Sequence, residues 1–295
     1  MTTNQSYQAD VTESLCLANT HYENFPVASI ILPKHLREPI DLIYRFARQA
    51  DDFADEGELS TNERLALLNN FRDELTLLQA YIKPKTRFFY TLGEMIKSKK
   101  LPYDPFFDLL DAFCQDVTKT RYSNFTEVLA YCKQSANPVG RLMLCLYQQS
   151  NEQNNRHSDA ICSALQLINF LQDIAIDFKK NDGKQRIYMC QDELKTFKLS
   201  ETDIADFVLK IKPIDANWQQ FMHFNLDRVS TLLESGKPLG RTLKGRIGFE
   251  MRMIIAGGER IIYKIRKVNG DVFNHRPTLQ INDWFIILFN ALLKR

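Results

Sequence analysis

The stretch Gln166-Leu-Ile-Asn169-Phe-Leu-Gln-Asp173-Ile-Ala-Ile-Asp177 decides the fold. At 3.6 residues per turn, Gln166, Asn169, Asp173 and Asp177 fall at i, i+3, i+7 and i+11, so they form one narrow polar stripe. Nearly everything else between Ile161 and Phe178 is apolar: Leu165, Leu167, Ile168, Phe170, Leu171, Ile174 and Ile176. A surface helix carries a broad polar face and one apolar stripe. This segment is the inverse, which predicts a buried helix whose polar stripe faces an internal cavity. Two carboxylates four residues apart in such a place require a compensating cation. Taken alone, the helix leaves two sources open: Lys or Arg from elsewhere in the chain, or a metal ion.

A second segment bears on that choice: Tyr44-Arg-Phe-Ala-Arg48-Gln-Ala-Asp51-Asp52-Phe-Ala-Asp55-Glu56. Tyr44, Arg48, Asp51 and Asp55 again share one helical face. Asp41, Arg45, Gln49, Asp52 and Glu56 lie beside them, toward the expected solvent side. Crowded acids on one helix repel one another, and such a cluster alone reads as a solvated face or a helix end. Two Asp-x-x-x-Asp pairs on two otherwise apolar helices are different. Facing each other, they would form a four-carboxylate cage. Oxygen ligands with free water positions suit Mg²⁺, which binds through a few carboxylates plus substrate phosphates.

Composition narrows the class. The chain has 295 residues, 44% of them hydrophobic and 25% charged, which fits a soluble globular protein. A formal net charge of +2 gives no reason to expect a nucleic-acid partner. Gly is sparse, at 11, and no strand-turn-strand rhythm appears, so an all-α fold is expected, as one domain over residues 1–295. The six cysteines show no Cys-x-x-Cys spacing and read as reduced thiols in apolar helices. The N-terminus has neither a basic nor an apolar region, so a cytoplasmic protein is expected.

Along the chain, a first helix is predicted over residues 12–22, ending before Pro26. Pro33 opens the helix with the first acid cluster. Ser60-Thr-Asn-Glu63 starts an amphipathic helix over 61–81. Lys97-Ser-Lys-Lys100 reads as a solvated turn. Asp104-Pro105 starts a helix to about residue 118, with Asp108, Asp111 and Asp116 as surface residues. A helix over 126–150 contains Tyr131 and the run Ser135-Ala-Asn137-Pro138-Val-Gly140; its Pro is read either as a structural kink or as shaping a cavity wall. After Asp177 comes a cation-rich loop ending in Arg186-Ile-Tyr188, where Arg186 is the best candidate to touch a diphosphate. Further helices are predicted over 201–212, 215–235, 244–268 and 282–293. The last one is too short to span a bilayer and reads either as a docked core helix or as an interfacial helix finished by Lys294-Arg295.

These motifs together resemble the squalene/phytoene synthases. Tyr44-x-x-x-Arg48-x-x-Asp51-Asp52-x-x-Asp55-Glu56 is similar to their first aspartate-rich motif. Gln166-x-x-Asn169-x-x-x-Asp173-x-x-x-Asp177, with Arg186-Ile-Tyr188 after it, is similar to the second. Tyr131-Cys132 through Val139-Gly140 matches the helix motif between them. His21-Tyr-Glu-Asn-Phe-Pro26 and Ser135-Ala-Asn-Pro-Val-Gly140 look most like the hydroxysqualene-forming branch found in bacterial hopanoid pathways. Gln172 stands where many relatives have Arg, the loop between Asp177 and Arg186 is longer than usual, and Cys190 replaces a common Pro.

The resemblance implies an all-α isoprenoid-synthase bundle around a central cavity, Mg²⁺, and a polyprenyl diphosphate substrate. It implies catalytic roles for Tyr44, Arg48, Tyr131, Asn137, Asn169 and Tyr188. Substrate contacts would come from Arg48, Gln166, Arg186 and Arg276, and metal ligation from Asp51, Asp52, Asp55, Asp173 and Asp177. The reaction implied is conversion of presqualene diphosphate and water to hydroxysqualene. One alternative is head-to-head condensation of two prenyl diphosphates; another is a non-catalytic scaffold of the same fold. Peripheral contact with the inner face of the membrane and with other enzymes of the hopanoid pathway is also expected.

Overall fold

Helix α1 (Lys34–Asp55) begins immediately after Pro33, as expected, and carries the first acid cluster on its last turns. The computed structural model describes residues 33–179 and 185–293. The expected helix over 12–22, the stretch 21–26, Cys16, residues 180–184 of the cationic loop, and Lys294-Arg295 lie outside the described residues. Helix α2 (Thr61–Gln79) starts at a complete capping box, in which Ser60 and Glu63 satisfy each other's backbone N–H groups. Helix α3 (Arg87–Lys99) is capped by Thr86, and α4 (Asp104–Thr118) has Pro105 in its first turn, where no N–H is missed.

The expected helix over 126–150 is two helices. Helix α5 (Phe125–Ser135) ends, the chain breaks at Ala136 (φ −118°, ψ −46°), and Asn137-Pro138 opens α6 (Asn137–Leu146). The helix expected through residues 161–178 is also interrupted. Helix α7 (Glu152–Gln172) stops at Asp173, which adopts φ −108° and ψ 15°, and a single turn, α8 (Ile174–Asp177), follows. Ile176, read as buried, is exposed on that turn. The remaining helices are α9 (Gln191–Thr196), α10 (Glu201–Val208), α11 (Ala216–Gly236), α12 (Pro238–Thr242), α13 (Gly245–Lys267) and α14 (Ile281–Leu293). Among the described residues there is no strand, only an isolated parallel bridge between Arg121 and Ile187.

Helix α7 is the central helix, packed against α5, α6, α11, α12 and α13. Gly140 of α6 permits a close approach to this helix. A Cβ there would stand 2.6 Å from Cys162 Sγ and closer still to Ser158 Oγ. The small residue therefore serves a neighbouring helix. The core falls into two clusters. One gathers Phe46, Phe71, Phe89 and Phe106 from α1 to α4, with Phe46–Phe106 centroids 5.2 Å apart and edge-on. The other gathers α7, α11 and α13, with Trp218 fully buried and its indole N–H donated to Gly270 O. Ile247 packs against both. The five described cysteines are free, and burial pushes Cys162 up to about 11 and Cys132 and Cys190 up to about 12, so they stay protonated.

Candidate active site

The first acid cluster sits on the last turns of α1, where Arg48 reaches forward along the helix. Its guanidinium lies 2.7 Å from Asp52 Oδ1 and 3.3 Å from Asp51 Oδ2. These groups are half-exposed. Asp55 is placed differently, with its side chain almost fully buried against Arg186. Arg186 donates to both oxygens of Asp55, at 2.9 and 3.3 Å. The same guanidinium donates to Asp116 O at 2.8 Å and to Tyr188 Oη at 3.2 Å. Arg186 was expected to meet a diphosphate. It is instead buried and engaged in positioning Asp55.

Local backbone explains how a residue 131 positions away reaches α1. Residues 185–191 run beside the end of α4, with Ile187 N donating to Thr120 O and Gln191 N to Tyr122 O. Arg121 fastens this segment by donating to Gln185 O and by an ion pair with Glu201 at 2.7 Å.

Asp116 corrects another expectation. It was read as a surface residue with Asp108 and Asp111, yet it is 5% exposed. It accepts from Tyr131 Oη at 2.7 Å and from Tyr188 Oη at 3.1 Å. Burial pushes its carboxyl up to about 7, against the lowering effect of Arg186. Tyr131 and Tyr188 are raised well above an ordinary phenol, first by burial and then by the Asp116 charge, so they remain donors. Asp177 acts on Tyr188 in the same direction, which places the second acid pair within electrostatic reach of this network. Phe170 of α7 stacks on Tyr188 with centroids 3.8 Å apart and rings 7° from parallel. A signal for Asp116 was present in the sequence: it continues the stripe of Leu109 and Ala112, which are both buried.

The second pair lies where α7 gives way to α8. Arg276 holds Asp173 with two N–H donors, at 2.6 and 3.1 Å. Beside it, buried Gln172 donates to Pro277 O, so the residue that stands in place of Arg ties α7 to the segment carrying Arg276. Of the other expected residues, Gln166 is half-buried and Asn169 exposed on the α7 stripe, and Tyr44 is half-buried on α1. Asn137 stands apart. It is buried, and its Oδ1 accepts from Ser163 Oγ at 2.9 Å. Ten residues of helix separate Ser163 from Asp173, roughly 15 Å along the axis.

The four-carboxylate cage is not assembled by the protein alone. Among the described residues, no three His, Cys, Asp or Glu side chains converge tightly enough to hold a metal ion. Asp51 and Asp52 instead rest against Arg48, Asp55 against Arg186 and Asp173 against Arg276. The donor set still fits a hard divalent cation whose remaining ligands are phosphate oxygens and water, because that cation needs only one or two carboxylates from the protein.

Comparison with known proteins places this arrangement. A family model described as squalene/phytoene synthase matches residues 18–283. The chain is 34% identical over 272 residues to a hydroxysqualene synthase from Rhodopseudomonas palustris, covering 92% of this chain and 88% of that protein. It is 27% identical over 267 residues to a 15-cis-phytoene synthase from Synechococcus elongatus, covering 86% and 83%. The crystal structure of squalene synthase HpnC from Alicyclobacillus acidocaldarius superposes with a TM-score of 0.77 at 31% identity, covering 88% of this chain and 94% of that one. A dehydrosqualene synthase in complex with ligand superposes with a TM-score of 0.81 at 18% identity, a likeness of fold. The all-α bundle is thus the isoprenoid-synthase architecture. The chain belongs to the squalene/phytoene synthase family, a family of isoprenoid-forming enzymes.

Proposed function

We propose that the protein converts presqualene diphosphate and water to hydroxysqualene and diphosphate. The observation that carries this reading is the pairing of both acid motifs with arginines beside a buried aromatic cluster. That pairing couples charge handling for a diphosphate to a dry wall of rings. Similarity to hydroxysqualene synthases supports the choice of substrate.

Asp51, Asp52, Asp55, Asp173 and Asp177 would hold Mg²⁺, which when bound neutralises the charge of the leaving diphosphate. Arg48 and Arg276, now paired with acids, would contact phosphate oxygens when those acids engage a cation. Arg186 keeps Asp55 in place. The C–O bond to diphosphate breaks and its electron pair leaves with the diphosphate. In this reading the carbocation forms beside the buried cluster of Tyr131, Phe170 and Tyr188, whose packing excludes bulk water. One admitted water adds through oxygen and loses a proton, so the step is redox-neutral.

The test is incubation with Mg²⁺ in ¹⁸O-water, without nicotinamide, using presqualene diphosphate or farnesyl diphosphate. Presqualene diphosphate should yield ¹⁸O-labelled hydroxysqualene. A condensation product from farnesyl diphosphate, with presqualene diphosphate left untouched, would replace this reading with head-to-head condensation, which the similarity to phytoene synthases keeps as the second reading.

A further inference from the structure

Helix α14 presents its two faces the wrong way round for a docked surface helix. Its inward positions, Asp283, Ile287 and Ala291, are buried. Asp283 is anchored by Arg260 and Lys264, both at 2.6 Å, and Ala291 O accepts from Arg252 Nε at 2.8 Å. The polar anchors therefore point into the protein. Its outward arc carries Ile281, Phe285, Leu288, Phe289, Leu292 and Leu293, all exposed, with Phe285 at 68% and Phe289 at 62%. An exposed apolar patch of this extent marks a binding surface.

Charge indicates what the surface meets. Arg252 also donates to Gly240 O, so the C-terminal end of α14 lies against α12 and the turn into α13. That turn exposes Arg241, Lys244 and Arg246. The carboxylates of α12, α13 and α14 are Glu250, Glu259 and Asp283. Glu259 is paired with Lys237, Asp283 is buried, and Glu250 is half-buried toward Tyr147. The carboxylates of α12, α13 and α14 in a second copy would thus offer the three cations no fully exposed partner. Anionic lipid headgroups would. No helix among the described residues is long and apolar enough to cross a membrane, so the contact is with one leaflet.

We propose that α14 lies flat in the interface of an anionic phospholipid bilayer, its exposed apolar arc among the acyl chains and Arg241, Lys244 and Arg246 on the headgroups. This surface is independent of the reaction proposed above. Trp284, half-buried on α14, reports on it, because the only other tryptophan, Trp218, is fully buried.

The full-length protein is mixed with vesicles of phosphatidylcholine alone or of phosphatidylcholine with phosphatidylglycerol, and flotation is measured together with quenching of Trp284 by brominated lipid. Binding should favour the anionic vesicles, fall with salt, and quench Trp284. The double variant Phe285→Ser/Phe289→Ser should lose roughly tenfold in partitioning with unchanged helix content by circular dichroism. Arg241→Glu/Lys244→Glu should abolish the preference for phosphatidylglycerol. Failure to float with anionic vesicles would overturn the proposal. So would a dimer in sedimentation that the phenylalanine variants dissolve, which would assign the face to a second copy.

Discussion

Removing Arg186 would leave Asp55 and Asp116 as two buried carboxylates with no cation between them. Breaking a buried pair from one side costs about 3–5 kcal/mol, so Arg186→Gln should destabilise the fold on that scale in urea titrations. Asp51 is the opposite case. Its pair with Arg48 is half-exposed and worth at most about 1 kcal/mol, so Asp51→Asn should unfold near the native midpoint while losing turnover. A variant that kept near-normal turnover at limiting Mg²⁺ would remove Asp51 from metal binding. Glu250 supplies a pH test away from the site. Burial pushes its carboxyl from 4.5 up to about 7, and Oε2 has no hydrogen-bond partner among the described residues. Its folded pKa lies above the unfolded one, so its contribution is full below 4.5 and is lost as pH rises to about 7. Glu250→Gln should flatten that part of the melting-temperature profile and melt above the native protein at higher pH. At this scale the acid pairs and Arg186-Ile-Tyr188 were legible, because their residue types and spacing carry the chemistry. The partners of those acids were not, since Arg186 and Arg276 reach them from 131 and 103 positions away.

The segment joining α5, α6 and α7 shows where local signals stop. Pro138 told of a disturbance but not of its size, and the break falls two residues earlier, at Ala136, so that Asn137 can begin a new helix. The interruption at Asp173 had no local signal at all, since Ile174, Ala175 and Ile176 would continue a helix. It follows from tertiary bonds, Gln172 to Pro277 O and Arg276 to Asp173, which override propensity. Helix starts were readable where a capping box or a first-turn Pro stood in the sequence, as at Ser60 and Pro105, whereas the caps at Thr86 and Asn151 were not read as helix starts. The Asn137–Ser163 bond locks α6 onto α7 far from the acids. Asn137→Ala should cost about 1 kcal/mol and leave the ratio of alcohol to hydrocarbon products unchanged, as read by chromatography. A shift toward eliminated hydrocarbons would return Asn137 to the positioning of water. Gly140→Ala should cost more, about 1–3 kcal/mol, because its Cβ would meet Ser158 and Cys162 on the central helix.

In the whole molecule the two acid motifs belong to different core clusters. Helix α1 is built into the phenylalanine cluster around Phe46, whereas α7 and α8 belong to the cluster around Trp218. Arg186 joins them at the site by gripping Asp55 of α1, and Tyr131 and Tyr188 join them as well by donating to Asp116 of α4. A diphosphate with Mg²⁺ would add a further bridge, contacting Asp51 on one side and Asp173 on the other. Neither component should stabilise strongly alone. Among the described residues no three carboxylates converge on a metal site, and a bare diphosphate would meet five acids. The expected signature is therefore synergy. Inorganic pyrophosphate with Mg²⁺ should raise the melting temperature well beyond the sum of the two separate effects. At a hundredfold excess over the dissociation constant this corresponds to about 2.7 kcal/mol, or several degrees for a chain of this length. Asp51→Asn and Asp173→Asn should each abolish the synergy, although they lie in different clusters, because either loss opens the bridge. Retention of the full shift by one of them would mean that the ligand rests on a single acid motif, and the bridging arrangement would then be wrong.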